Sequence, residues 1–205
     1  MHDSGLRLQW RSRRRYSVCA MLLCVAAALG AQTAATSTEQ KPAATSAQVP
    51  AAQTQEWKTY SYPADGFSVS LPLEPILQKK DVPTENGSFE MHAYLVQEAD
   101  SALVVMACDY GDALVGREAE SVLRGAQEGA MSNVGGHLIR EKAITQGTYQ
   151  GIEFEAENDS THFIARIFMA GSTLYQTLIA SPLDKPYAST ARFQDSFQLI
   201  ARVKN

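Results

Sequence analysis

The chain has 205 residues, 45% of them hydrophobic, so it is long enough to bury a core without disulfides or metals. From residue 32 onward, 13 Lys and Arg stand against 21 Asp and Glu, a net charge of −8. That balance argues against a nucleic-acid binder, whose affinity comes largely from phosphate contacts, and suits an extracytoplasmic protein.

The first residues read as an export signal. MHDSGLRLQWRSRRRYS carries Arg7, Arg11, Arg13, Arg14 and Arg15, followed by the uncharged run VCAMLLCVAAAL and then by small residues. A basic start, a short apolar stretch and a small-residue exit make a secretory signal peptide over 1–31, with cleavage expected after Ala31. The apolar run has 12 residues, against roughly 20 for a spanning helix, so no membrane span is expected after processing. SRRRYSV, residues 12–18, also resembles a twin-arginine export signal, and that route stays open. Cys24 follows Leu23, which is larger than the residue that usually precedes a lipidated cysteine. Cys19 and Cys24 leave with the signal, so Cys108 is the one cysteine of the mature chain. Its neighbours, ALVVMACDY, are apolar, and it is expected to be a buried core thiol.

Residues 32–55, QTAATSTEQKPAATSAQVPAAQTQ, hold no aromatic residue and one large aliphatic, Val49. Such a segment cannot offset its ordering entropy by burial and reads as a disordered linker. From residue 56 to 205 the texture is that of a single folded domain.

Within that domain, WKTYSY (57–62) and GFSVSL (66–71) are expected strands flanking a turn at PAD. SFEMHAYLVQ (88–97) alternates, with Phe89, Met91, Ala93 and Leu95 on one face. ALVVMAC (102–108) is apolar on both faces and should be a central strand, joined to its predecessor as a hairpin. A helix is expected over 113–134. Asp112 would cap its start, Gly135-Gly136 would stop it, and Val115, Ala119, Val122, Leu123, Ala126 and Ala130 would face inward. Four strands follow as an antiparallel meander: 137–145, 150–158, 161–171 and 173–180. In QGIEFEAE, Ile152, Phe154 and Ala156 point one way and Glu153, Glu155 and Glu157 the other. Slipping the register by one residue would bury all three glutamates.

The chain closes with a helix expected to begin near Lys185. It would place Tyr187, Ala191, Phe193 and Phe197 inward as a lid on an open sheet, with Arg192 and Gln194 outward. Phe193, Phe197 and Cys108 are the residues singled out, all three as structural.

Three stretches resemble the PsbP-like superfamily, in its exported bacterial branch of unknown function: YSYPADGFSVSLP, GSTLYQTLIAS and ARFQDSFQLI. The resemblance implies an α+β fold, an antiparallel sheet of about six or seven strands with helices on both faces. It carries over no catalytic or binding residue, because one fold hosts many functions.

No recognised catalytic, metal or phosphate-binding spacing occurs in the sequence. His92, His137 and His162 fall in no ligand pattern. The glutamate row reads as the wet side of a strand, with Arg166 as a partner from the next strand. DYGD (109–112) reads as a strand end and helix cap, and Gly147 and Gly151 as turn glycines. No catalytic residue, cofactor or metal is therefore expected. The expected function is a non-enzymatic exported domain, periplasmic or extracellular, that binds a protein partner or assists a cell-envelope assembly. The alternative is a carrier or sensor of a small apolar ligand held between sheet and helix.

Overall fold

The computed structural model describes residues 56–84 and 87–203. The expected signal peptide and linker lie outside these residues. Among these described residues, two antiparallel sheets and two α-helices make an α+β fold.

The larger sheet has seven strands: β3 (Ile76–Thr84), β4 (Gly87–Glu98), β5 (Ser101–Asp109), β6 (His137–Gln146), β7 (Tyr149–Glu157), β8 (Thr161–Ala170) and β9 (Thr173–Pro182). They lie in the order β3-β4-β5-β9-β8-β7-β6. The smaller sheet has β1 (Lys58–Tyr62) and β2 (Phe67–Leu71), with the short β10 (Gln198–Leu199) on the far side of β2. The helices are α1 (Ala119–Val134) and α2 (Thr190–Ser196).

Strand β5 sits near the middle of the large sheet, as its two apolar faces require. Val104, Met106 and Cys108 point to the α1 side, while Leu103, Val105 and Ala107 point to the other. On the α1 side, Val122, Leu123 and Ala126 pack with Ile152, Phe154, Ala165 and Ile167. On the opposite side, Phe67, Val69 and Leu71 of β2 join Tyr94, Phe168, Tyr175, Phe193 and Phe197. The cover on this face is therefore composite: the small sheet and α2 share it. Phe193 and Phe197 are almost fully buried, and each contributes about 1.5–3 kcal/mol by leaving water.

The meander is as expected, with β7 paired to β8 and Glu153 opposite Arg166. Ile152, Phe154 and Ala156 are buried on the α1 side. The β4–β5 hairpin closes in two residues, Ala99 and Asp100, with Glu98 opposite Ser101.

Several expectations are corrected. Residues 76–84 form an edge strand that no periodicity announced: ILQKKDVPT is largely exposed where its side chains are described and carries a proline. Pairing with β4 from Ile76↔Leu95 to Thr84↔Gly87 creates it, and Lys79 and Lys80 suit an edge. Helix α1 begins six residues later than expected, after Glu118. Residues Gly111–Leu114 form a separate 3-10 turn that includes Asp112, and Gly116 has φ 71°. Asp112 therefore does not cap α1, and Val115 is 74% exposed. The stop is as expected: Gly135 adopts φ 61°, which glycine reaches without the Cβ penalty.

Gly151 lies inside β7, away from any turn. A Cβ there would come within 2.6 Å of the Ile167 carbonyl oxygen and the Phe168 ring, so glycine permits this close strand approach. The closing helix begins at Thr190, after the expected start, and ends before Phe197. Ala191 is exposed and Gln194 is buried, the reverse of their expected sides. The Thr177 hydroxyl donates to Gln194 Oε1 at 2.5 Å, which satisfies the buried amide oxygen.

Candidate functional site

Cys108 is buried, and desolvation pushes its thiol up to about 12. That environment disfavours the thiolate, the nucleophilic form. Phe193 and Phe197 are core residues. The three residues singled out in the sequence are all buried, and the structure brings no two of them into a polar site.

The histidines separate. His137 lies at the exposed start of β6, 3.4 Å from Glu157, and His162 lies 3.5 Å from Glu155. His92, on the β4 face opposite Met91 and Ala93, meets a buried acid. Its Nδ1 is 2.8 Å from Asp65 Oδ1, and its Nε2 contacts Glu90. The Tyr94 hydroxyl donates to Asp65 Oδ2 at 2.5 Å, and the Tyr175 hydroxyl donates to the Asp65 carbonyl at 2.7 Å. Burial first, and then the bond to Asp65, pushes the Tyr94 phenol far up. These contacts bolt the β1–β2 turn to the large sheet. Asp65 read as a turn residue in the sequence, and its union with His92, 27 residues on, carries no local signal.

The glutamate row is compensated. Glu153 accepts from Lys142 and from Arg166 Nε at 2.6 Å, and Arg140 contacts Glu155. Arg166 also donates to the Gln194 carbonyl and to Asp195, each at 2.9 Å, which ties α2 to the sheet. In the DYGD stretch, Asp109 accepts from Gly111 N–H, Ser172 and Arg202. It thus closes the strand end instead of capping α1. Among the described residues, no group of three or more His, Cys, Asp or Glu is arranged to hold a metal ion.

The feature that sequence reasoning missed is an open cleft of about 410 Å³ at one end of the large sheet. Two segments and two single residues build it. The β4–β5 turn gives Glu98, Ala99 and Asp100, the loop after β9 gives Lys185 to Ser189, and Trp57 and Arg192 close it. Trp57 comes from the residue just before β1 and Arg192 from the first turn of α2. The Arg192 guanidinium carbon sits 4.8 Å from the Trp57 ring centroid, within cation–π range.

The Tyr187 hydroxyl donates to Glu98 Oε2 at 2.5 Å, and Lys185 Nζ donates to Asp100 Oδ2 at 2.6 Å. Burial, followed by the bond to Glu98, pushes the Tyr187 phenol above its ordinary range. The loop itself is tied down: Leu183 N–H bonds the Ser160 carbonyl, and the Thr190 hydroxyl bonds the Tyr187 carbonyl. Ala99, on the cleft rim, has φ 29° and is the one non-glycine residue with positive φ among the described residues. Such strain costs energy and concentrates at functional surfaces. The only sequence signal was the hairpin link itself, which says nothing of the loop it meets.

No family model and no curated protein matches the chain. Among solved structures, it is similar to the solution structure of cyanobacterial PsbP (CyanoP) from Synechocystis sp. PCC 6803. The identity is 16% and the TM-score 0.49, over 72% of this chain and 95% of that one.

Proposed function

We propose that this is an exported, non-enzymatic binding domain that engages a partner of the cell envelope through the end cleft. One observation carries the reading: Trp57, Tyr187 and Arg192 line a single open cleft held by hydrogen-bonded segments. Trp, Tyr and Arg are the residue types that dominate binding energy at interfaces, because each offers a large rigid surface with a polar handle. Among the described residues no helix is long and apolar enough to cross a membrane.

The test is site-specific photocrosslinking in living cells. A photoreactive residue at position 188, in the cleft, is compared with one at Glu128, on the exposed side of α1. The reading expects a discrete adduct from position 188 alone, abolished by Trp57→Ala with Arg192→Ala. Equal adducts from both positions, or none from position 188, would overturn it.

A further inference from the structure

The cleft holds two unmatched charges of opposite sign. Arg192 makes no ion pair among the described residues; its guanidinium lies over Trp57. Glu98 has no basic partner among them either, and its described side-chain bond is the one from the Tyr187 hydroxyl to Oε2. The other charges of the cleft, Lys185 and Asp100, satisfy one another. Along β7, by contrast, Glu153 and Glu155 are paired with Lys142, Arg166 and Arg140. A half-buried carboxylate and a stacked guanidinium, left unpaired in one cleft, complement a ligand that carries both charges itself.

On the reading that the cleft is the binding surface, we propose that it recognises a zwitterionic amino-acid head group, an ammonium and a carboxylate joined through one carbon. The stacked guanidinium keeps its edge N–H donors free for a bidentate carboxylate. The remaining oxygen of Glu98 accepts from the ammonium, and the Trp57 and Tyr187 rings flank the apolar stem. Such a head group exists in free amino acids and at the free end of an amino acid displayed by its side chain on a larger envelope molecule.

The experiment titrates the full chain while following the Trp57 indole resonance by NMR. The probes are L-leucine, Nε-acetyl-L-lysine, N-acetyl-L-leucine (carboxylate only) and L-leucine methyl ester (ammonium only). The expected result is a saturable shift with the two zwitterions, and binding at least tenfold weaker for the two single-charge probes, each having lost a charged hydrogen-bond partner. Glu98→Gln should weaken L-leucine at least tenfold and leave N-acetyl-L-leucine unchanged. Arg192→Gln should weaken L-leucine and leave the methyl ester unchanged. Tighter binding of L-leucine would identify the free amino acid as the source, and tighter binding of Nε-acetyl-L-lysine the displayed one. Equal affinity for all four probes, or no shift of Trp57, would overturn the proposal. If the position-188 adduct persists in that case, the cleft remains the binding surface with a different ligand; if it is also absent, both readings fall.

Discussion

The rings of Phe197 and Phe168 stack with centroids 5.9 Å apart and planes 14° from parallel. Phe168 belongs to β8 of the large sheet, and Phe197 is the residue at which α2 ends. The segment from α2 to Phe197 therefore helps to seal the sheet face opposite α1. Phe193→Ala and Phe197→Ala should each destabilise the domain by about 3–5 kcal/mol, the usual range for emptying a buried phenylalanine site. Gln194→Ala should cost about 1–3 kcal/mol, because it strands the Thr177 hydroxyl in the core. Arg192→Ala should cost under about 1 kcal/mol, the scale of an exposed cation–π contact. Urea unfolding of the four variants checks the ranking, and wild-type midpoints for both phenylalanine variants would refute the seal.

Cys108 should label slowly with a thiol reagent at pH 8. Burial pushes its thiol up to about 12, and only the thiolate attacks. Labelling should accelerate by orders of magnitude in denaturing urea, where the side chain recovers an ordinary value of about 8.5. Equal rates in the two conditions would mean that the β5 face is open.

Glu153 gives the domain a defined acid sensitivity. Burial pushes its carboxyl up, but hydrogen bonds from Lys142 and Arg166, with their charges, outweigh burial and hold it below the ordinary range. A depressed native value means that the stabilisation is complete above the unfolded value of about 4.3. It is lost as pH falls through the lower native value. The stability gap between wild type and Glu153→Gln should therefore be open at pH 6 and close as pH falls below about 4. A gap that stays constant from pH 6 into that range would show that the ion pairs contribute nothing.

Ala99→Gly should stabilise the domain by about 1 kcal/mol, since glycine removes the Cβ conflict at positive φ. The urea midpoint should rise with an unchanged slope. A lower midpoint would mean that the hairpin is not strained at this residue.

The sequence made the fold legible where a single period governs a whole element. β4, β5 and β7 alternate or run apolar, and each faces the side its pattern indicates. β3 escaped because ILQKKDVPT has no apolar period of its own, and an edge strand forms through its neighbour's hydrogen bonds. The start of α1 was misplaced because Ala113 and Val115 extend the apolar spacing into a segment that Gly116 breaks. Gln194 looked outward because polarity was read as exposure, whereas Thr177 supplies a buried partner. The cleft was the least legible feature. Trp57, Glu98, Tyr187 and Arg192 come from distant parts of the chain, and only the sheet order brings the β4–β5 turn beside the loop after β9.

Hydrogen–deuterium exchange of the full chain, with and without solubilised cell envelope, tests the cleft as the binding surface most directly. Binding there predicts slowed exchange in peptides spanning 96–101 and 183–192, unchanged exchange in 119–134, and no slowing in the Trp57→Ala, Arg192→Ala double variant. Slowing confined to another face, or equal slowing in the double variant, would contradict it.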